Sequence, residues 1–216
     1  MKPTYHLTGQ VTPDTSYAEA FYKAYGFAMV EWARVEDALS MWFTSITEMR
    51  PAMAKAVLNS AKAFTPQALM LSSAIEHAPM RAEVAEFLKA AINKALTYYQ
   101  FRNRIAHGMP RINSTDHENP IFEWHESKHI LSLEPITRER INICAKNFGD
   151  LADAIMSAHF ITTREDGPSE PRMKSLKLLQ RQVILLPNPA DRPTPSHSQL
   201  GKLKQREEKR SNEDQG

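Results

Sequence analysis

Cysteine is almost absent from this chain of 216 residues, which contains only Cys144. A single cysteine cannot form a disulfide within the chain, so a disulfide-stabilised scaffold is excluded and a reducing compartment is expected. Glycine is also scarce, and no glycine-rich phosphate-binding loop is present. No apolar run approaches the length of a membrane span, and residues 1–10 lack the apolar segment of a signal peptide. We therefore expect a soluble, cytoplasmic protein without a membrane partner.

A strong net charge is missing as well. The chain has 27 Lys and Arg residues against 25 Asp and Glu residues, which leaves a formal net charge of +2. This balance provides no general basic field that would attract a polyanion. Any nucleic-acid site must therefore be a local patch of basic residues.

Apolar residues at three- and four-residue spacing dominate the chain between residues 15 and 163. The pattern predicts a long, aromatic-rich first helix that reaches Ile46, and further helices over about 51–64, 66–77, 81–107 and 138–159. Cys144 lies in the apolar stripe of the last of these helices, so we expect a buried thiol. The predicted fold class is all-α, with the helices forming a bundle.

One segment inside the helical region has a different pattern. Ile121–Trp124 and His129–Leu133 are β-prone runs, and Pro120 and Pro135 bracket them. Together they predict a small β-hairpin inserted in the bundle at about residues 120–134.

The last part of the chain, residues 164–216, is rich in proline and then in charges of both signs. This composition predicts a mostly disordered tail, in which Leu178–Leu186 is a candidate docking element. The predicted organisation is an N-terminal arm over residues 1–14, a helical domain over residues 15–163, and this tail.

The octapeptide from Phe101 to Gly108, with the sequence FRNRIAHG, ends the long fourth helix. Gly108 and Pro110 form a strong helix stop, which places His107 in the last turn. An arginine can bind two phosphate oxygens through its planar guanidinium, and a histidine can exchange a proton near neutral pH. Asn103 lies four residues before His107 and can hydrogen-bond to it or to a phosphate. This set of residues indicates a site that binds or cleaves RNA.

Arg102 continues the apolar stripe formed by Leu88, Ala91, Ala95 and Tyr98. A charged group in such a position requires a partner, an interface or a ligand, because burying it alone is costly. Arg102 and His107 are five residues apart, so their directions diverge on an ideal helix. We therefore expect two copies to face each other across a two-fold axis and complete one site.

The run from Arg102 to His107 resembles the motif of HEPN domains. In that motif four to six residues separate an arginine from a histidine, and a polar residue commonly follows the arginine. The resemblance covers about residues 15–162 in helix order. HEPN domains are all-α bundles that typically dimerise and bring two motifs into one cleft. Many are endoribonucleases that require no metal or other cofactor, often toxins or defence effectors. Others have lost catalysis and bind a nucleotide, RNA or a protein.

Carried onto this chain, the resemblance implies that His107 is the general acid or base and that Arg102 stabilises charge on the phosphoryl oxygens. Asn103 would orient His107 or the phosphate. Arg104 could contact the phosphate backbone. The acidic residue that interrupts the aromatic face of the first helix corresponds to Glu36 or Glu31.

The implied partners are RNA, a second copy of the chain, and an antitoxin or regulatory protein. Family toxins that are controlled by nucleotidyltransferase antitoxins carry a tyrosine two residues after the histidine, where this chain has Met109. A non-catalytic role is also open, with Arg102 forming an ion pair at an interface, for example with Glu36, and His107 capping the helix.

A second motif, His125-Glu126-Ser127-Lys128-His129, matches the H-E-x-x-H signature of zinc peptidases. That chemistry requires a helix, which places the two histidines one turn apart on the metal. The flanking runs are β-prone, and a third ligand is not evident, although Glu134 and His117 are near. We therefore interpret this motif as the polar tip of the predicted hairpin.

Further aromatic and histidine residues have a structural and a functional interpretation. Tyr98, Tyr99 and Phe101 could stack on bases, but their helical spacing favours core or interface positions. His77 and His159 lie beside apolar stripes and are expected to be core or rim residues.

Overall fold

Six α-helices account for most of the residues that the computed structural model describes, which are 15–113, 121–126, 136–163 and 169–188. The helices are α1 (Thr15–Thr47), α2 (Pro51–Ser60), α3 (Phe64–His77), α4 (Ala82–Ala106), α5 (Arg138–Thr163) and α6 (Glu170–Leu185). The predicted all-α class is therefore confirmed. No helix among these residues is both long enough and apolar enough to span a membrane. The predicted N-terminal arm lies outside the described residues.

Local signals in the sequence account for several helix ends. Glu48 follows α1 with a φ of 54°, a left-handed conformation that cannot continue the helix. Pro51 then begins α2, where its missing N–H would have had no intrahelical partner. Arg81 and His107 are the N-cap and C-cap of α4, so this helix agrees with the bounds of about 81–107 that the sequence predicted.

The two longest helices, α1 and α5, run parallel to each other in close contact. Trp42 Nε1 donates a hydrogen bond to the carbonyl of Ile155, 3.0 Å away, and the Ser45 hydroxyl lies 2.8 Å from His159 Nε2. Earlier along both helices, Arg34 binds Asp153. The residue numbers rise together along the two helices, which fixes their relative direction.

A buried carboxylate lies at this α1–α5 contact. Glu31 is 7 % exposed and receives a hydrogen bond from Arg34, with 2.5 Å between Oε2 and Nη1. That bond raises the pKa of the Arg34 side chain. A side-chain carbon at Gly149 would approach Glu31 Oε2 to 2.8 Å, so glycine makes room for the acid. Asp153 binds the same guanidinium from α5.

Trp32 lies at the centre of the core and joins four helices. It is 1 % exposed, and its ring on α1 contacts Phe64 of α3, Tyr99 of α4 and Phe148 of α5, with centroid distances of 5.0, 5.9 and 5.4 Å. The contacts with Phe64 and Phe148 are edge-on, the arrangement that the charge distribution of aromatic rings favours. Tyr99 also contacts Phe64 directly, at 5.2 Å.

Helix α6 lies within the segment, residues 164–216, that was predicted to be a mostly disordered tail. Residues 170–185 form a helix that packs against α4 and α5 through buried Met173, Leu176 and Val183. The candidate docking element, Leu178–Leu186, covers its C-terminal half. Residues 164–168 and 189–216 lie outside the described residues.

One of the two predicted hairpin strands is described, and it pairs with a strand that directly follows α4. Strand β1 (Gly108–Asn113) pairs antiparallel with β2 (Ile121–Glu126), with Gly108 opposite Glu126 and Asn113 opposite Ile121. The run at 121–124 is therefore a strand, but its partner follows directly from α4. The predicted pairing with His129–Leu133 lies outside the described residues.

The Trp32 junction gives a test of the core. We expect Trp32→Ala to lower the free energy of unfolding by about 3–5 kcal/mol, because it removes a large buried ring and leaves a cavity. The measurement is urea denaturation followed by circular dichroism.

Two matched variants separate the ring from its N–H group. Trp32 Nε1 is buried and has no hydrogen-bond partner in the part of the chain that the structure describes, whereas Trp42 Nε1 donates to Ile155. Trp42→Phe should therefore be more destabilising than Trp32→Phe by about 1 kcal/mol or more. Equal costs for the two variants would show that the Trp32 N–H group is satisfied.

Candidate nucleic-acid interface at the end of helix α4

The end of α4 presents His107 to solvent. The residue is the C-cap of the helix, and its backbone N–H donates to the carbonyl of Asn103, 3.0 Å away. Its side chain is exposed. The chain continues from His107 directly into β1, with no loop between them. An exposed histidine side chain therefore lies directly at the junction of α4 and β1.

Arg102 is half-buried one turn earlier. Its Nη1 lies 3.3 Å from Asn103 Oδ1, so the first two polar residues of the motif contact each other. Its Nε is buried and has no hydrogen-bond partner among the described residues. The same residues place no carboxylate within ion-pair distance of Arg102. A guanidinium in this state remains able to bind an anion.

The ring of Phe101 contacts two further arginine side chains. The ring is 3 % exposed, and the guanidinium carbons of Arg104 and Arg140 lie 5.8 and 5.4 Å from its centroid. Arg140 comes from the first turn of α5, and α5 runs antiparallel to α4, because Arg140 lies near Phe101 and Phe148 lies near Tyr98. The end of α4 therefore collects basic residues from two helices, and together with Arg102 and His107 they form what we term the α4-end patch.

Arg140 was not identified by the sequence analysis. One signal could have indicated it: Arg138 and Arg140 lie in the first turn of α5, where the helix dipole disfavours positive charge. Arg138 is paired with Glu139, at 3.2 Å. Basic residues in this position suggest that another interaction favours them.

Glu36 is not at the α4-end patch. It lies on α1 beside a cavity of about 20 Å³ that Leu39, Phe64 and Leu71 also line. Within one copy of the chain, the described residues form no ion pair between Glu36 and Arg102, and the pair between two copies that one interpretation allowed stays a prediction. The buried acid of α1 is instead Glu31, which binds Arg34.

Tyr98 is a core residue in this structure. Its side chain is fully buried, and its hydroxyl donates to the carbonyl of Pro187, 2.9 Å away. Burial raises the pKa of the phenol well above its ordinary value. The neighbouring Lys94 donates to the carbonyl of Leu186, so both groups attach the end of α6 to α4. Cys144 is likewise buried, and burial raises the pKa of its thiol to about 12.

The first two residues of the H-E-x-x-H segment lie in a strand. His125 and Glu126 lie in β2, in extended backbone, whereas that signature must be helical to direct both histidines to one metal. His129, Glu134 and His117 lie outside the described residues. Among the residues that are described, no group of three or more His, Cys, Asp or Glu side chains could hold a metal ion.

His159 contacts the Ser45 hydroxyl through its Nε2. Its Nδ1 is buried and has no hydrogen-bond partner among the residues that the structure describes. A buried N–H without an acceptor is costly, so we assign the ring proton to Nε2, which then donates to the Ser45 hydroxyl. The histidine therefore does not accept the serine proton, and the pair is structural.

A larger cleft, of about 570 Å³, lies between α5 and the end of α6. Its lining is mostly apolar, and its two acids, Asp150 and Asp153, are paired with Lys146 and Arg34. The cleft contains no arrangement of acid, base and nucleophile. The α4-end patch is therefore the stronger candidate site.

Comparison with known proteins adds no relative. No protein-family model matches the chain, and no curated protein or solved structure matches it either. The class that the fold defines is an all-α helical protein with a basic patch at the end of its fourth helix. The resemblance to HEPN domains depends on the motif and the order of helices alone.

Burial of His159 gives a test of pH dependence. Desolvation lowers the pKa of its imidazole below the ordinary value of 6.5, so the unfolded chain binds this proton more readily than the folded protein. Stability from this group is present above that value and is lost as the pH falls below it. We expect the difference in unfolding midpoint between pH 8 and pH 5 to be smaller in His159→Gln than in the unmodified protein.

Ser45→Ala is the control for the same experiment. It removes the hydrogen-bond partner and leaves the ring buried, so the acid sensitivity should remain. A His159→Gln protein with undiminished acid sensitivity would contradict the assignment to this histidine.

Proposed function

We propose that the protein is a metal-independent endoribonuclease with a HEPN-type bundle, acting on RNA at the α4-end patch. The observation that carries the proposal is the state of Arg102: half-buried, without an acidic partner among the described residues, and one turn from the exposed His107. A cation held in this way is suited to a phosphate group. Arg104 and Arg140 supply further positive charge for the backbone of the nucleic acid.

The reaction uses the 2′-hydroxyl of the substrate as the nucleophile. His107 removes its proton, the oxygen attacks the adjacent phosphorus, and the bond from phosphorus to the 5′-oxygen of the next nucleotide breaks. The products are a 2′,3′-cyclic phosphate and a 5′-hydroxyl, whose proton comes from a general acid. Arg102 stabilises the charge that develops on the phosphoryl oxygens. Asn103 orients the Arg102 guanidinium through the contact at 3.3 Å between its Oδ1 and Arg102 Nη1.

A second copy of the chain supplies the general acid in this proposal. One copy has a single histidine at the patch, whereas the reaction needs a base and an acid. Pairing two α4 ends would provide both, together with two arginines. The resemblance to HEPN domains extends the proposal to a toxin or defence effector that an antitoxin or regulatory protein controls.

The decisive experiment is RNA cleavage in the presence of EDTA. We expect the unmodified protein to cut RNA and not DNA of the same sequence, because DNA lacks the 2′-hydroxyl. His107→Ala should reduce the rate by about a hundredfold or more, the usual contribution of an acid–base group. His77→Ala is the matched control, since His77 is also exposed in the last turn of a helix. Its rate should be unchanged.

The other outcomes have definite meanings. If neither protein cuts RNA but both bind it, the chain is a non-catalytic HEPN-type binding module. Cleavage that survives the His107→Ala change contradicts the proposed mechanism. Peptidase activity that EDTA abolishes would restore the zinc interpretation of His125 and His129.

Arg140 gives a separate test of the patch through salt dependence. If its side chain contacts one phosphate of single-stranded RNA, Arg140→Gln should lower the slope of log affinity against log salt concentration by about 0.7. Arg81→Gln makes the same change of charge at the opposite end of α4 and should leave the slope unchanged. The measurement is RNA binding by fluorescence anisotropy over a series of salt concentrations. Equal slopes for all three proteins would place the RNA elsewhere.

A further inference from the structure

The outward side of α1 has an apolar centre that no other described element covers. Phe27 is 53 % exposed and Val30 is 59 % exposed, and Gly26 and Ala33 are exposed beside them. The four residues recur at the three- and four-residue spacing that places them on one side of a helix. We term them the α1 outer face. The solvent side of a surface helix is normally polar, so this face indicates an interaction.

Gly26 is a second, independent sign of contact. A side-chain carbon placed there would meet nothing within 4 Å, so no packing among the described residues requires glycine. Glycine inside a helix is less stable than alanine by about 1 kcal/mol. A glycine on an exposed helix is explained when another backbone or a large side chain approaches closely.

The charges around the α1 outer face are arranged symmetrically about Val30. Lys23 lies seven residues before it and Asp37 seven residues after it, and both are exposed. Neither residue forms an ion pair with another of the described residues. A second α1 in antiparallel orientation, with a two-fold axis at Val30, would place Lys23 against the Asp37 of the other copy.

The two-fold axis at Val30 also places a large residue of one copy opposite a small residue of the other. Phe27 lies three residues before Val30, and Ala33 lies three residues after it. In the antiparallel pair each large ring would lie against a small side chain, twice by symmetry, and Gly26 would leave room beside it. A self-complementary surface of this kind is what a two-fold interface requires.

From this symmetry we infer that the protein forms a homodimer through antiparallel packing of the α1 outer faces of two copies. This contact is separate from any pairing of α4 ends. Trp32 contacts α4 through Tyr99, and Val30 lies on the opposite side of α1 from Trp32. The inference therefore does not depend on ribonuclease activity. The face from Lys23 to Asp37 is about 21 Å long. Such a small contact gives a weak dimer, whose population depends on concentration.

The first test is solution mass by analytical ultracentrifugation, with protein concentrations from about 1 µM to about 1 mM. The mass of the unmodified protein should rise from 24.6 kDa as its concentration increases. Val30→Lys places two like charges at the axis and should need concentrations about tenfold higher for the same rise, because it blocks this contact and leaves only the α4-end pairing of the proposed function. Met53→Lys is the matched control, since Met53 is 58 % exposed on α2, and this variant should dimerise normally. Circular dichroism checks that each variant is folded.

The second test exchanges the charges at the ends of the face. Lys23→Asp and Asp37→Lys should each weaken the dimer by about tenfold, because each change places like charges opposite each other at two symmetric positions. The double variant restores opposite charges across the interface and should recover the affinity of the unmodified protein. This recovery is specific to an antiparallel pair with Val30 at its centre.

Three results would overturn the inference: a mass of one chain at all concentrations, equal weakening of the dimer in Met53→Lys and in Val30→Lys, or no recovery in the double charge exchange. A mass of one chain at all concentrations would show that a partner other than a second copy covers the α1 outer face. RNA cleavage is measured on the same proteins. Absence of cleavage together with the expected masses would contradict the proposed function and leave this dimer intact.

Discussion

The packing of the Trp32 ring is the interaction on which the rest of the structure depends. It brings together side chains of α1, α3, α4 and α5, so the relative positions of these helices follow from one group of rings. Tyr99 belongs to this group and lies three residues before Arg102. The α4-end patch is therefore held at a fixed distance from the centre of the core. The packing of Tyr99 against Trp32 sets the position of the run from Arg102 to His107.

The buried Glu31 serves a different purpose from the apolar contacts around it. An acid at a helix–helix contact is costly unless it is paired, and here Arg34 and the space left by Gly149 meet that requirement. Only one relative placement of α1 and α5 satisfies all three residues, because a shift along the axis would separate the acid from its glycine. The polar contact therefore selects the register of two helices that apolar packing alone would allow to slide.

The sequence was informative where structure depends on local spacing. The α1 to α5 helices were predicted because their apolar stripes repeat within each segment, and the end of α4 followed from Gly108 and Pro110. The partner of β2 and the proximity of Arg140 to Phe101 depend on contacts distant in sequence, which spacing does not encode. Helix α6 was missed because prolines and charges surround the few residues, Met173, Leu176 and Val183, that attach it to the domain. The chemistry of the α4-end patch remains a prediction from the motif.

The direct passage from α4 into β1 has a mechanical consequence. His107 ends the helix and Gly108 begins the strand, so no flexible connection separates the two elements. The position of the His107 backbone therefore depends on both elements, the last turn of α4 and the pairing of β1 with β2. A change in that pairing would alter the direction in which the His107 side chain leaves the end of the helix.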